Sequence, residues 1–350
     1  SLVALDLETG ERRWHYQITH HDVWDWDLPA APVLTDITVD GREIKAVTLP
    51  TKQSWLFVFD RETGEPVWPI NEQPVAPSDI PGEVLSPTQP HPTKPPAFDQ
   101  QGIGPDDLVD FTPEIRARAL EVLSRFRYGR SIYTPPSVGN ADGTYGTLQV
   151  PASTGGVNWP GGSFDPDTGI FYQYSKSEVT NLGLTNNPDR SDMNFIRGRP
   201  EGVSARQEAL NVDGIPILKP PWGRISAIDL GTGELLWQVA HGETADNIRN
   251  HRLLEGVEIP RTGRPGRVGT LVTKTLVVAG DGGTFTNDEG VTGAMLRAYD
   301  KTNGDEMGAV FMPAQQTGSP MTYSVNGKQY IVVAVSGGGY GGELIAYHLP

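Results

Sequence analysis

Leu2-Val3-Ala4-Leu5-Asp6-Leu7-Glu8-Thr9-Gly10-Glu11-Arg12-Arg13-Trp14 carries the pattern that decides the fold: an apolar strand, Asp, two residues, Thr-Gly, three residues, Trp. It returns as Leu56-Phe57-Val58-Phe59-Asp60 with Thr63-Gly64 and Trp68, and as Ile225-Ser226-Ala227-Ile228-Asp229 with Thr232-Gly233 and Trp237. Two copies are degraded. Asp165, Thr168 and Gly169 are followed by Gln173, and Asp300 and Gly304 by Gly308, with Asn303 in place of Thr. In each unit the Asp or Thr side chain bonds nearby backbone while Gly takes a positive φ. A second strand follows, and its Trp docks on the neighbouring unit. Such repeats read as blades of a β-propeller, in which radial packing buries each sheet against the next. Five unrelated hairpins would not share this spacing.

The repeat Asp positions 6, 60, 165, 229 and 300 lie 54, 105, 64 and 71 residues apart. A compact blade needs ~40–45 residues, so large loops are inserted, and inserted loops are where such scaffolds keep function. Residues 69–135 read as one inserted loop and helix region within a single propeller domain over 1–350. Its Pro-rich stretch from Pro74 to Pro96 predicts no regular structure. A helix follows, with Thr112 as cap, Pro113 in the first turn and Ile115, Ala119, Val122 and Phe126 on one face. The first motif begins at residue 2, so the earlier strands of its blade are not in this chain, which reads as cut from something longer.

Composition agrees. The chain has 350 residues, 41 Gly and 30 Pro, well above the roughly 12% of average usage, which suits many short strands and tight turns. A net charge of -15 repels phosphate backbones and argues against a nucleic-acid partner. The absence of cysteine excludes disulfides, thiolate zinc sites and thiol catalysis within these residues. No run of 18 apolar residues is present.

Four segments carry candidate chemistry. The densest is His20-His21-Asp22-Val23-Trp24-Asp25-Trp26-Asp27. A carboxylate desolvated beside indoles is suited to proton abstraction, whereas an acidic turn over packed Trp side chains is the plain alternative. Composition leaves both open. Lys52, just before the second repeat strand, is by itself an ordinary solvated Lys. Gly155-Gly156-Val157-Asn158-Trp159-Pro160-Gly161-Gly162 would let backbone approach a flat ligand and free an indole face for it, or would simply turn a hairpin corner. The fourth is Pro221-Trp222-Gly223. The glycine run Ser336–Gly342 lacks a following helix and reads as a connection between strands. No HExxH pair and no GxSxG elbow occurs, so neither a protein-only metal site nor serine hydrolysis is argued.

The segment Trp14-His15-Tyr16-Gln17 through His20–Pro29 resembles the quinoprotein dehydrogenases that use pyrroloquinoline quinone (PQQ), closest to the membrane-bound glucose dehydrogenase branch. Further matches follow in order. They are Lys52 with Phe57–Arg61, Thr134–Ser137, Asn158-Trp159 with Phe164-Asp165-Pro166, Trp222-Gly223 before Ile225–Leu230, and Ser319–Tyr323 with Asn326–Tyr330. The resemblance implies an all-β, eight-bladed propeller holding the quinone near its axis, with this chain as its C-terminal part. It places the catalytic aspartate on Asp25, as general base for a sugar or alcohol hydroxyl while hydride passes to the quinone. It places on Lys52 the donor to the ortho-quinone oxygens, and on Asn158, Trp159 and Trp222 the cofactor pocket. Calcium is implied too, with ligands mostly upstream of Ser1, as are a membrane quinone or cytochrome as electron acceptor and a periplasmic or extracytoplasmic location. One departure stands out: relatives carry a pocket Asn nine residues after the Asp-Pro turn, where this chain has Tyr174. The rival reading is a non-catalytic propeller scaffold with a decayed pocket.

Overall fold

The computed structural model describes residues Ser1–His348. Strand Leu2–Leu5 pairs antiparallel with Arg12–Tyr16. Val33–Val39, Arg42–Pro50 and Leu56–Asp60 form the next sheet, to which Pro66 adds through a bridge to Phe59. Gly162–Asp165, Ile170–Lys176, Gly223–Asp229 and Glu234–Ala240 make a four-stranded sheet. Leu271–Val272, Leu276–Gly280, Thr292–Asp300 and Glu306–Met312 make another, and Met321–Val325, Lys328–Gly337 and Tyr340–His348 the last.

Alternation along the strands gives each inner sheet two apolar faces. Val47, Phe57 and Phe59 pack toward Leu2, Trp14 and Tyr16 of the first hairpin. Ala46, Leu56 and Val58 pack the other way, onto Phe171 and Ile228. Tyr172 and Ile225 then meet Val277 and Tyr299, and Val278 and Leu296 meet Val333 and Ile345. Each inner sheet is therefore clamped between its two neighbours in chain order, the stacking of a β-propeller.

All five motif copies build the same turn. The Asp side chain accepts backbone N–H groups two or three residues on, as Asp6 does from Glu8 (3.0 Å) and Thr9 (2.9 Å). The Gly N–H returns to the Asp carbonyl, at 2.8 Å for Gly64 and Asp60. Each Trp reaches forward. The Trp14 indole donates to Arg61 O at 3.0 Å and lies so close over Gly64 that a Cβ there would sit 2.7 Å from the ring. Trp68 lies against Gly233, and Trp237 donates to Lys301 O at 3.2 Å beside Gly304.

The structure corrects two expectations. The Asp165 and Asp229 copies are not separate blades: they turn the first and second hairpins of one sheet, joined by the Ile170–Lys176 and Gly223–Asp229 ladder. The Pro-rich stretch is not wholly irregular, because Ile70–Pro74 pairs antiparallel with Thr88–Pro92. Backbone bonds bracket the ladder at Thr93 N to Pro69 O and Val75 N to Pro87 O, so Pro74, Pro90 and Pro92 fall on the pairs that exchange no hydrogen bond. The helix spans Pro113–Leu123 with Thr112 capping Ile115 N, and it buries Ile115, Ala119 and Val122; Phe126 joins the same cluster just beyond its end.

One buried ion pair crosses between sheets. Lys301 Nζ meets Asp165 Oδ2 at 2.6 Å, both residues under 10% exposed. Burial pushes the Asp165 carboxyl up, but hydrogen bonds from Lys301 and Thr168 outweigh it and hold the carboxyl below its ordinary 3.8. Its contribution is therefore complete above pH 3.8 and is lost as pH falls through the lowered value. Lys301→Met, which strands the carboxylate, is expected to cost about 3–5 kcal/mol at neutral pH. In urea titrations the gap to the native protein should narrow below pH 3.8.

Candidate functional site

The His20–Asp27 loop divides its residues between two jobs. Trp24 and Trp26 are buried to within 2% of complete, and the Trp24 indole donates to Thr134 O at 2.8 Å. Asp22, at the surface, braces the loop: its carboxylate accepts Trp24 N at 2.9 Å and Trp26 N at 2.6 Å. Desolvation by its surroundings is the largest influence on the Asp22 carboxyl and pushes it up. Gln149 adds a bond to Trp24 O at 2.7 Å. These anchors bracket Asp25, whose backbone is left-handed with φ 67°. That conformation is uncommon outside Gly and needs surrounding contacts to hold it. It turns the Asp25 side chain outward, 66% exposed.

Lys52 occupies the tight turn Thr51–Ser54, closed by Ser54 N to Thr51 O at 3.0 Å. It is no solvated strand-edge lysine, being only 6% exposed. Its Nζ donates to Asp25 O at 2.9 Å, pairs with Asp27 Oδ1, and lies 3.3 Å from Asp25 Oδ2. The Gly155-Gly156 backbone presses on this turn. A Cβ on Gly155 would sit 2.4 Å from Lys52 Cγ, and one on Gly156 would sit 2.0 Å from Ser54 Oγ. Gly156 N also bonds Lys52 O at 2.9 Å. The glycines thus serve close backbone approach, to Lys52 itself.

Asn158 folds back on its own loop, donating to Thr154 O at 2.8 Å and accepting Trp159 N at 2.9 Å. Trp159 stays half exposed and, with Lys176, Glu178 and Arg267, lines a cavity of about 340 Å³. Trp222 is placed elsewhere: it is 3% exposed in the cluster containing the helix, near Phe111, and its indole donates to Leu218 O at 2.9 Å. Tyr174 is core as well, bonding Arg264 O at 2.6 Å against the His241 ring. The structure therefore groups Asp25 with Lys52, sets Asn158 and Trp159 on the loop touching Lys52, and puts Trp222 behind. Sequence reasoning missed Asp22 as brace, Asp27 as ion-pair partner, and Lys176, whose one signal was a Lys ending a buried strand. Among the described residues no group of three or more His, Asp or Glu is disposed to hold a metal, and no helix is long and apolar enough to cross a membrane.

A propeller with a carboxylate–ammonium pair beside an exposed indole defines a class that comparison with known proteins narrows. Residues 1–331 match the family described as PQQ: Glucose/ethanol/alcohol dehydrogenase, beta-propeller domain, and the chain belongs to that family. It is 33% identical to the quinoprotein glucose dehydrogenase of Escherichia coli and 32% identical to the quinate/shikimate dehydrogenase (quinone) of Acinetobacter baylyi. Both matches cover 100% of this chain and 44% of the relative, so the chain spans less than half the length of these relatives. The quinohemoprotein alcohol dehydrogenase structure from Comamonas testosteroni superposes with TM-score 0.52 at 20% identity, covering 95% of this chain and 38% of that one, which shows the shared fold.

Removing the brace tests the loop. Asp22→Ala leaves two N–H groups without their acceptor and is expected to cost about 2 kcal/mol. It should also raise proteolytic cleavage between Val23 and Leu28, measured by limited proteolysis; an unchanged cleavage pattern would show that the carboxylate does not hold the loop.

Proposed function

We propose that the protein containing this chain is a PQQ-dependent dehydrogenase that oxidises a sugar or alcohol hydroxyl to a carbonyl. The observation that carries the reading is the buried Lys52 ammonium held against Asp25 and Asp27, two carboxylates that remain open to solvent. The residues present suit a flat ortho-quinone. Lys52 supplies a fixed cationic donor and Asn158 an amide on the adjoining loop. Trp159 offers an uncovered indole face, and the Gly155-Gly156 backbone holds the Lys52 turn against the loop that carries it. Relatives named for glucose, quinate and glycerol dehydrogenation favour a polyhydroxylated substrate class.

When bound, the quinone supplies the two-electron acceptor. Asp25 is positioned to take the proton of the substrate hydroxyl at Oδ, since its side chain is exposed while its backbone is pinned by Lys52 Nζ at Asp25 O. Lys52, held in place by Asp27, aims a cation at the place where negative charge develops on a ligand oxygen. Calcium, a membrane quinone or cytochrome as acceptor, and a periplasmic or extracytoplasmic setting belong to the same proposal. They draw on family membership and on the names of relatives.

Asp25→Asn keeps size and exposure but removes the base. In the intact protein supplied with PQQ and calcium, it is expected to lower dye-linked oxidation of aldoses and alcohols by at least about 100-fold, with thermal unfolding unchanged. Undiminished turnover would remove Asp25 from the reaction. A native protein that neither binds quinone nor turns over would instead be a propeller scaffold.

A further inference from the structure

A second buried ammonium faces the Trp159 cavity. Lys176 ends the strand Ile170–Lys176 and is 8% exposed. Its Nζ pairs with Glu178 Oε2 and donates to Thr154 Oγ1 at 2.9 Å. An ammonium has three N–H donors, so one remains for a ligand. Arg267, on the same wall, is exposed, and among the described residues its guanidinium has no carboxylate partner. Two cations against the single carboxylate of Glu178 leave this wall positive, in a chain whose net charge is -15. Gly266 and Gly282 complete it with bare backbone: a Cβ on either would sit within 2.7 Å of the other's α-carbon.

The two lysines are also tied to each other through one loop. Gly156 N bonds Lys52 O and Lys176 N bonds Gly156 O, each at 2.9 Å. Thr154, which receives Lys176 Nζ, gives its carbonyl to Asn158. Lys52 and Lys176 are thus fastened on either side of the loop that carries Asn158 and Trp159, and their relative placement is fixed by backbone.

We propose that Lys176, assisted by Arg267, is a carboxylate-recognition subsite that holds the anionic edge of the flat ligand whose quinone oxygens meet Lys52. This inference rests on the PQQ reading of the site, because that cofactor carries carboxylates around its rings away from the ortho-quinone oxygens. Glu178 and Thr154 hold Lys176 in place, while Trp159, on the loop fastened to both lysines, offers its face to the ring system.

The test measures quinone affinity in the intact protein by quenching of tryptophan fluorescence, with PQQ and its neutral trimethyl ester as the two probes. One charge-assisted hydrogen bond corresponds to about 10-fold to 100-fold in affinity. Lys176→Met is expected to weaken PQQ by that factor while leaving the ester within about 2-fold, and Lys176→Arg to restore most of the difference. Arg267→Gln, at an exposed position that folding does not depend on, should give a smaller loss of the same kind. If both neutral variants keep the native preference for acid over ester, the subsite is wrong and the quinone reading survives. If the native protein binds neither probe, both fall.

Discussion

An ammonium taken out of water must have a carboxylate beside it, and that requirement at Lys52 shapes the whole loop cluster around it. Solvent screens the exposed carboxylates, so the pair itself contributes little to stability, and the requirement falls on the buried cation. Here the burden is uneven: the cation is 6% exposed, whereas the side chains of Asp25 and Asp27 are 66% and 59% exposed. The lysine is therefore fixed in place, while its partners stay accessible to anything that enters from solvent. The Asp22 brace, the left-handed backbone at Asp25, the Gln149 bond and the Gly155 contact all serve that asymmetry.

The scaffold supplies what the loops alone could not. Stacked sheets fix the strand ends, and the Thr51–Ser54 turn, the 154–158 loop and the end of the Ile170–Lys176 strand meet because they emerge from adjacent sheets. Between sheets, contacts are mostly apolar, with a few charged crossings. Arg297, 2% exposed at the side chain, is shared among Asp281, Glu243 and Glu306 and has the opposite arrangement to the site: every donor is satisfied. The first is structure; the second leaves donors for a ligand.

What was legible in the sequence was what depends on local contacts. The Asp-x-x-Thr-Gly turn closes within five residues, so its chemistry is written where it acts. Asp25 and Lys52 were visible through the His20–Asp27 cluster and the resemblance it carries, but the burial of Lys52 was not. Its burial comes from Gly155, about a hundred residues away in sequence. The assignment of Asp165 and Asp229 to one sheet was hidden for a related reason. Both hairpins use the same turn, and the pairing of Phe171 with Ile228 that unites them spans a long insertion. In the Pro-rich stretch the prolines were read as breakers; their spacing of two places Pro90 and Pro92 on one side of a ribbon, which composition does not reveal.

The forward reach of the repeat tryptophans has a consequence for how the molecule can be watched. Trp14, Trp68 and Trp237 each belong covalently to one sheet and rest on a turn of the next. Each indole therefore senses the seam between two blades and is blind to pairing within its own. A loosening of one of these seams would shift the emission of its tryptophan to the red while every strand kept its hydrogen bonds, so three successive joints each carry a built-in optical reporter.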